Sequence, residues 1–368
     1  MNPLISPDEL KKNFAEFARN SEKKLTIILG AGASFGYSRD KNFIYKPPTV
    51  SELLKNESPL VQQVIEKSEH RVVKGQRAHI ARSIKSLDGD LEAYLSDIYT
   101  NDTADELFPS MLRYLEDIFT LVSQNVDLED NYYQTLLSRV RDLRGTKPWS
   151  ILTFNYDTIL EQSIVDIQRW VPKRVFKKDN DYLDFNPKVL KMHGGVNLRY
   201  VTIPDPENAD LVSPHDVFTE LMNKKEPIEN YMEIIALGSK TPSFKNHRIL
   251  RDVGGRVICD FPLMMVPIHT VVKSENSFFC RQVEYAKNEI SQSGLVVAIG
   301  YQFGDNTFVE ALKGLDLKES TLILVGTTYL LDKTIESKAF KSASKVWPKE
   351  NIRIYQGNGF AEFAESLY

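Results

Sequence analysis

Only two cysteines, Cys259 and Cys280, occur in 368 residues. That count excludes a disulfide framework and a zinc centre of four thiolates. Both cysteines read as small buried hydrophobes. No run approaches the roughly 18 consecutive apolar residues that a membrane span requires. The opening MNPLISPDELKKNFAEFARN has the pattern of a polar helix without the apolar centre of a signal peptide. A cytoplasmic protein with no membrane partner is therefore expected. Basic excess is lacking too: the net charge is −4, which argues against a surface wholly shaped for nucleic acid. The short run Lys173–Lys178 reads as a solvated charged face, with phosphate contact as the alternative. Internal repeats, low-complexity tracts and Gly/Ser linkers are all missing, so no segment is marked as swinging freely. What is present, 42% hydrophobic and 26% charged residues, is the composition of a globular enzyme.

Short β-rich apolar runs recur along the chain: LTIIL (25–29), WSILTF (149–154), KVLKM (188–192), PLMMVPI (262–268), GLVVAIG (294–300) and TLILVG (321–326). Runs apolar on both faces suit a parallel sheet covered by helices. Helical patterns follow several of them, in DTILEQSIVDI, TFVEALKGL and DKTIESKAF. This alternation predicts an α/β fold, a doubly wound Rossmann-like parallel sheet. Two stretches break it. Residues 48–145 carry amphipathic helix candidates, among them TVSELLKN, DLEAYLSDIY, ELFPSMLRYLEDIFTLVSQ and YYQTLLSRVRDL, and are read as an inserted helical subdomain. Residues 197–258 mix prolines and charges and form a second, ambiguous insertion. The core is then 25–47 with 146–368, in one domain spanning 1–368.

Four segments carry chemistry, each at the end of an apolar run. Gly30-Ala31-Gly32-Ala33-Ser34 follows LTIIL. Glycines there let the backbone turn and approach a pyrophosphate, with amides and Ser34 as donors; the alternative is a structural turn, since the full GxGxxG spacing is absent. Thr153-Phe154-Asn155-Tyr156-Asp157 follows the second run. Asn155 both donates and accepts and Asp157 accepts from an amide, a combination suited to ribose hydroxyls and a carboxamide; the competing reading makes Asp157 a helix cap. Met192-His193-Gly194-Gly195 supplies a histidine able to exchange a proton near neutral pH, or a hydrogen-bonded structural one. Gly300-Tyr301-Gln302-Phe303-Gly304-Asp305-Asn306 either holds a nucleotide ribose or phosphate or is a helix start capped by Asp305. The other five histidines, His70, His79, His215, His247 and His269, have no comparable setting.

GAGAS, TFNYD, KMHGG and GYQFGDN, in that order over roughly residues 25–360, resemble the sirtuin family. The resemblance implies NAD as substrate. It implies that Gly30, Ala31, Gly32 and Ser34 receive the NAD phosphates, that Asn155 and Asp157 address the nicotinamide ribose and carboxamide, and that His193 is the catalytic base. Thr153 and Gly194 belong to the same nucleotide-binding segments, and Gly300, Tyr301 and Asp305 are carried over to the adenosine side.

The departures from the family pattern narrow the implication. Protein-deacylating sirtuins carry two Cys-x-x-Cys pairs, a glutamine where Phe154 stands and an Asp-Phe-Arg segment after the first loop. None of these is found, and residues 197–258 stand in place of a zinc module. The remainder is similar to zinc-free bacterial sirtuin-like effectors of antiphage defence, which implies NAD hydrolysis without a metal. It also implies a homo-oligomer and, as a possible partner, a HerA-family DNA translocase or an Argonaute-like protein. A protein deacylase, a nucleotide sensor and a DNA-processing subunit remain the alternatives.

Overall fold

A computed structural model describes residues 4–50, 52–54, 58–67, 70–87, 91–101, 107–129, 131–167, 182–184, 186–202, 232–234, 249–251, 257–264, 277–326 and 337–367. The chain begins with a two-residue strand, β1 (Leu4–Ile5), and a helix, α1 (Pro7–Asn20). Ser6 starts that helix by accepting the Glu9 amide, and Pro7 sits where its missing N–H costs nothing. Leu10, Phe14 and Ala18, spaced by four, bury one face. Strand β2 (Lys24–Leu29) runs straight into the short helix α2 (Ala31–Phe35).

Helices α3 (Pro59–Ile65), α4 (Arg71–Ser86), α5 (Leu91–Asn101) and α6 (Leu107–Gln124) then pack on one another, with α6 touching all three of the others. Of the helix candidates expected in this stretch, TVSELLKN is the exception: its described residues Glu52–Leu54 form a turn. The Glu52 carboxylate accepts from both the amide and the hydroxyl of Thr49 there. The next helix, α7 (Tyr132–Arg144), lies against α1 and leads into β3 (Trp149–Thr153).

After β3 come α8 (Ile159–Ile167), β4 (Lys188–Lys191) and β5 (Gly194–Thr202). Strands β6 (Met232–Ile234), β7 (Ile249–Arg251) and β8 (Val257–Met264) follow. The chain then alternates through α9 (Ser277–Ser291), β9 (Ser293–Ile299), α10 (Asn306–Leu312), β10 (Thr321–Val325), α11 (Lys338–Ala343), β11 (Ile352–Tyr355) and α12 (Phe360–Ser366).

Seven strands form one sheet in the order β1-β11-β10-β9-β2-β3-β4, and every pairing in it is parallel. The doubly wound α/β fold is therefore observed. Side chains alternate between two cores, as the period of a strand requires. Leu25, Ile27 and Leu29 face one core, shared with α1, α3, α4, α5, α6, α7, α8 and α12. Ile28, Val296, Ala298, Leu322 and Leu324 face the other, with α9, α10 and α11. From β2 the chain winds outward through β3 and β4, returns to β9 beside β2, and winds outward the other way. The strand order reverses between β2 and β9, and the crevice beyond their carboxyl ends is where such sheets bind ligands.

The expectation for PLMMVPI is corrected in part. Its first residues belong to β8, which lies in a separate four-stranded antiparallel sheet, β6-β5-β8-β7. The rest of that run, like Lys173–Lys178 and residues 332–336 of DKTIESKAF, falls outside the described residues.

Candidate functional site

Main-chain bonds bring the four motifs to one level. Beyond the strands proper, the sheet continues for one more bond on each: Gly30 N to Ile299 O at 3.0 Å, Gly300 N to Val325 O at 2.8 Å, Phe154 N to Leu29 O at 2.9 Å and Met192 N to Thr153 O at 2.8 Å. Each motif thus leaves the sheet at its carboxyl edge, three on the β2 side of the reversal and GYQFGDN on the β9 side.

Gly30, Gly32 and Gly300 meet there backbone to backbone. A Cβ on Gly30 would stand 2.4 Å from the Gly300 carbonyl oxygen, and one on Gly300 2.4 Å from the Ala33 nitrogen. Gly300 also has φ +61, a left-handed conformation that costs side-chain-bearing residues. The amides of Gly30, Gly32 and Ala33 are engaged by the carbonyls of Ile299, Gly300 and Gly30. The glycines therefore let two loops touch.

Asn155, buried, ties the second motif to the first. Its Nδ2 donates to the Gly30 carbonyl at 3.1 Å and to Ser34 Oγ at 2.9 Å. With that nitrogen committed, Oδ1 is the atom Asn155 has for a ligand. Ser34 Oγ also lies 3.0 Å from the hydroxyl of Tyr133 on α7, whose own ionisation burial pushes far up. The Asn155 amide is held by Thr153 Oγ1 at 3.2 Å.

Asp157 is fully buried. Its Oδ1 accepts the Ile159 amide at 3.1 Å and so starts α8, as the capping reading supposed. Among the described residues, its Oδ2 makes no bond of full hydrogen-bond geometry, although the Ser34 hydroxyl bears on the carboxylate. Burial pushes this carboxyl above its ordinary value; the Lys191 charge works the other way and the Glu161 charge adds to the rise. Lys191 Nζ lies 3.0 Å from Glu161 Oε1 and donates to the Asp157 carbonyl at 2.7 Å. With side chains 2% and 0% exposed, Lys191 and Glu161 form an ion pair sealed under the site.

His193 leaves β4 at the same edge, one residue before Gly194 turns the chain with φ +70. Its Nε2 is 2.9 Å from Asp305 Oδ2, and both side chains are buried. Phe154 meets the imidazole edge-on at 4.9 Å and stacks on Tyr301 at 4.1 Å. Tyr156 lies along the imidazole at 6.0 Å. Asp305 also caps α10 through Oδ1, which accepts the Phe308 amide at 3.1 Å.

Asn155, Asp157, His193, Thr153, Gly194, Gly30, Ala31, Gly32, Ser34, Gly300, Tyr301 and Asp305 are thus gathered at one end of one sheet. Asp305, which the resemblance assigned to the nucleotide, is paired with His193. Tyr133, Glu161 and Lys191 were not singled out from the sequence. The available signal was charge in apolar settings: Lys191 interrupts an apolar strand, and Glu161 lies on the inward face of α8. Helix α6 also reaches the site. Phe119 packs on Tyr156 at 5.4 Å, Ser123 Oγ accepts the Thr158 amide at 3.0 Å, and the Ser123 carbonyl accepts from Gln162.

Among the described residues no cluster of three or more His, Cys, Asp or Glu is disposed to hold a metal, and no helix is long and apolar enough to cross a membrane. Cys280 is a half-buried thiol on α9.

Fold and site together define a doubly wound α/β protein with a cluster of buried polar side chains beside the reversal of its sheet. No family model matches the chain, and no curated protein does. Solved structures that are similar include a Sir2 homologue in complex with NAD, at 10% identity and TM-score 0.42, covering 97% of this chain and 92% of that one. A structure concerning sirtuin substrate affinity is 12% identical at TM-score 0.41, covering 97% of each chain. Another, on the mechanism and regulation of Sir2 enzymes, is 12% identical at TM-score 0.38, covering 97% and 96%. At these values the likeness carries no argument about chemistry, and the fold stands on the observed strand order and register.

Proposed function

We propose that this chain binds NAD in the crevice and hydrolyses its nicotinamide–ribose bond, releasing nicotinamide and ADP-ribose. The observation that carries the reading is the meeting of GAGAS, TFNYD, MHGG and GYQFGDN, scattered over most of the sequence, where the strand order reverses and dinucleotides bind such sheets. In this reading the pyrophosphate lies against the loop of Gly30, Ala31, Gly32 and Ser34, with Tyr301 toward the adenosine.

In the NAD substrate the broken bond joins the ribose to a cationic pyridinium, so nicotinamide leaves neutral and positive charge passes to the ribose. A site stabilises that charge with oriented oxygens and removes the proton of the attacking water. Asn155 Oδ1 faces the ribose hydroxyls or the water in this scheme. Asp157 offers Oδ2 to the carboxamide in this scheme, its Oδ1 being held by the Ile159 amide. His193 takes the proton as water adds to the ribose carbon. Water supplies the OH of ADP-ribose, and one proton is released per turnover. No step calls for a metal.

We assign the hydrolase to a NAD-depleting defence effector, a role that rests on the motif resemblance. The contacts of α6 with Tyr156, Thr158 and Gln162 support control through the insertion, by self-assembly or by a partner such as a DNA translocase.

The test is NAD consumption by purified wild-type protein, Asn155→Ala and His193→Ala, alone and with the neighbouring gene product, with nicotinamide, ADP-ribose and cyclic product resolved. Nicotinamide release that is abolished in both variants supports hydrolysis. Release that requires an acyl-lysine peptide would replace this reading with a deacylase. NAD binding without turnover under every condition would replace it with a sensor.

A further inference from the structure

Asp305 is held from two directions. Its Oδ1 accepts the Phe308 amide and its Oδ2 faces His193 Nε2 at 2.9 Å, so neither oxygen can turn without breaking a contact. An ionised carboxylate only accepts hydrogen bonds, so the nitrogen that faces it carries a proton. In a neutral imidazole the other nitrogen, Nδ1, is then the acceptor. The loop that delivers Asp305 is shaped for this. Gly300 and Phe303 both adopt left-handed φ, +61 and +53. A left-handed φ is unfavourable for a residue that carries a side chain. Burial of the Phe303 ring against Tyr301 and Trp347 offsets that cost. The imidazole is confined as well, by the edge-on Phe154 ring and by Tyr156 along its face.

We propose that Asp305 is the positioning residue of His193, fixing the imidazole with its proton on Nε2 so that Nδ1 is the nitrogen that accepts the proton of the reaction. The carboxylate also stabilises the imidazolium that results. The inference rests on the hydrolase reading for the proton's origin, but the tautomer itself does not depend on it.

A helix cap alone would account for Asp305, and Asp305→Asn separates the two roles. Asparagine caps a helix about as well as aspartate, yet its Nδ2 would offer a donor to Nε2 and drive the ring proton to Nδ1. The experiment uses the full-length protein with 15N-labelled histidine. Long-range 1H–15N NMR identifies the His193 signals by their loss in His193→Gln, and NAD turnover is measured in parallel. The wild type is expected to show the Nε2–H tautomer and Asp305→Asn the Nδ1–H tautomer. The latter should lose about 10²- to 10⁴-fold in kcat, with KM changed less than about 3-fold. Asp305→Ser, which also keeps a capping oxygen, should lose the tautomer preference and most of kcat. An Nδ1–H tautomer in the wild type, or full turnover by either variant, would overturn the proposal. Wild-type protein that leaves NAD intact would instead sink the hydrolase reading, while the tautomer still decides the pairing.

Discussion

Asn155 Nδ2 lies 2.9 Å from Ser34 Oγ and 3.1 Å from the Gly30 carbonyl, joining two strand-end loops 121 and 125 residues apart in sequence. The Gly30 carbonyl needs a donor on that side of Asn155, whereas the Ser34 hydroxyl can turn to donate or accept. Asn155→Ala should therefore cost about 1–2 kcal/mol, the loss of two buried bonds with some relaxation. Asn155→Asp, closer in shape, should cost more, about 3 kcal/mol, because it sets an acceptor against the Gly30 carbonyl and buries a charge. Urea denaturation at neutral pH ranks the two, and equal stability of Asn155→Asp and wild type would refute the donor geometry.

Gly300 and Gly304 lie four residues apart in one loop and should respond oppositely to alanine. At Gly300 the new Cβ would stand 2.4 Å from the Ala33 nitrogen at φ +61, whereas at Gly304 nothing lies within 4 Å and φ is not left-handed. Gly300→Ala is expected to cost more than about 3 kcal/mol or to prevent folding, and Gly304→Ala to fall within about 0.5 kcal/mol of wild type. Thermal unfolding of both variants checks the contrast.

Five of the seven strands of the parallel sheet, β10, β9, β2, β3 and β4, were legible because each is a short, largely buried apolar run. WSILT and TLILV, for example, cannot be satisfied with one face in water. The two strands at the β1 edge were not. Leu4–Ile5 is too short to show a period, and Ile352–Tyr355 carries Arg353 in its middle. At the site, Asn155 and His193 stood out because polar residues follow apolar runs there. Tyr133, Glu161 and Lys191 stayed hidden because their partners are distant in sequence: 22 residues separate Tyr133 from Asn155 and 34 separate Lys191 from Asp157. A helical pattern shows that a tyrosine faces inward, but not that its hydroxyl meets Ser34.

Arg144, at the end of α7, is buried and stitches several connections together. Its guanidinium donates to the carbonyls of Ser21 at 3.0 Å, Lys23 at 3.1 Å and Pro148 at 2.8 Å, with that of Ala18 at 3.4 Å. These carbonyls lie at the end of α1, in the approach to β2 and just before β3. A lysine keeps the charge but lacks the planar fork of donors. Arg144→Lys should lose about 2–4 kcal/mol, the net worth of one or two charged hydrogen bonds. It should also accelerate amide exchange in residues 18–24 relative to α9 and α10. Uniform exchange across the protein would mean that Arg144 does not hold this corner.

Asp157 sets a pH dependence of definite sign. Burial raises its carboxyl in the folded protein, against the Lys191 charge and together with that of Glu161. In the unfolded chain the group titrates near its ordinary value of about 3.9. Between that pH and the raised folded value, the native state holds a proton that the unfolded state has released, so stability falls as pH rises. Below about pH 3.9 both states are protonated and the group exacts no penalty. Above the folded value the penalty is complete and constant. Asp157→Asn keeps an oxygen for the Ile159 amide and has nothing to titrate. The stability of Asp157→Asn relative to wild type should therefore increase from pH 4 upward and then level off, by chemical denaturation at a series of pH values. A difference that stays flat across the series would show that the buried carboxylate is fully compensated by Lys191, and one that shrinks would reverse the sign assigned to Asp157.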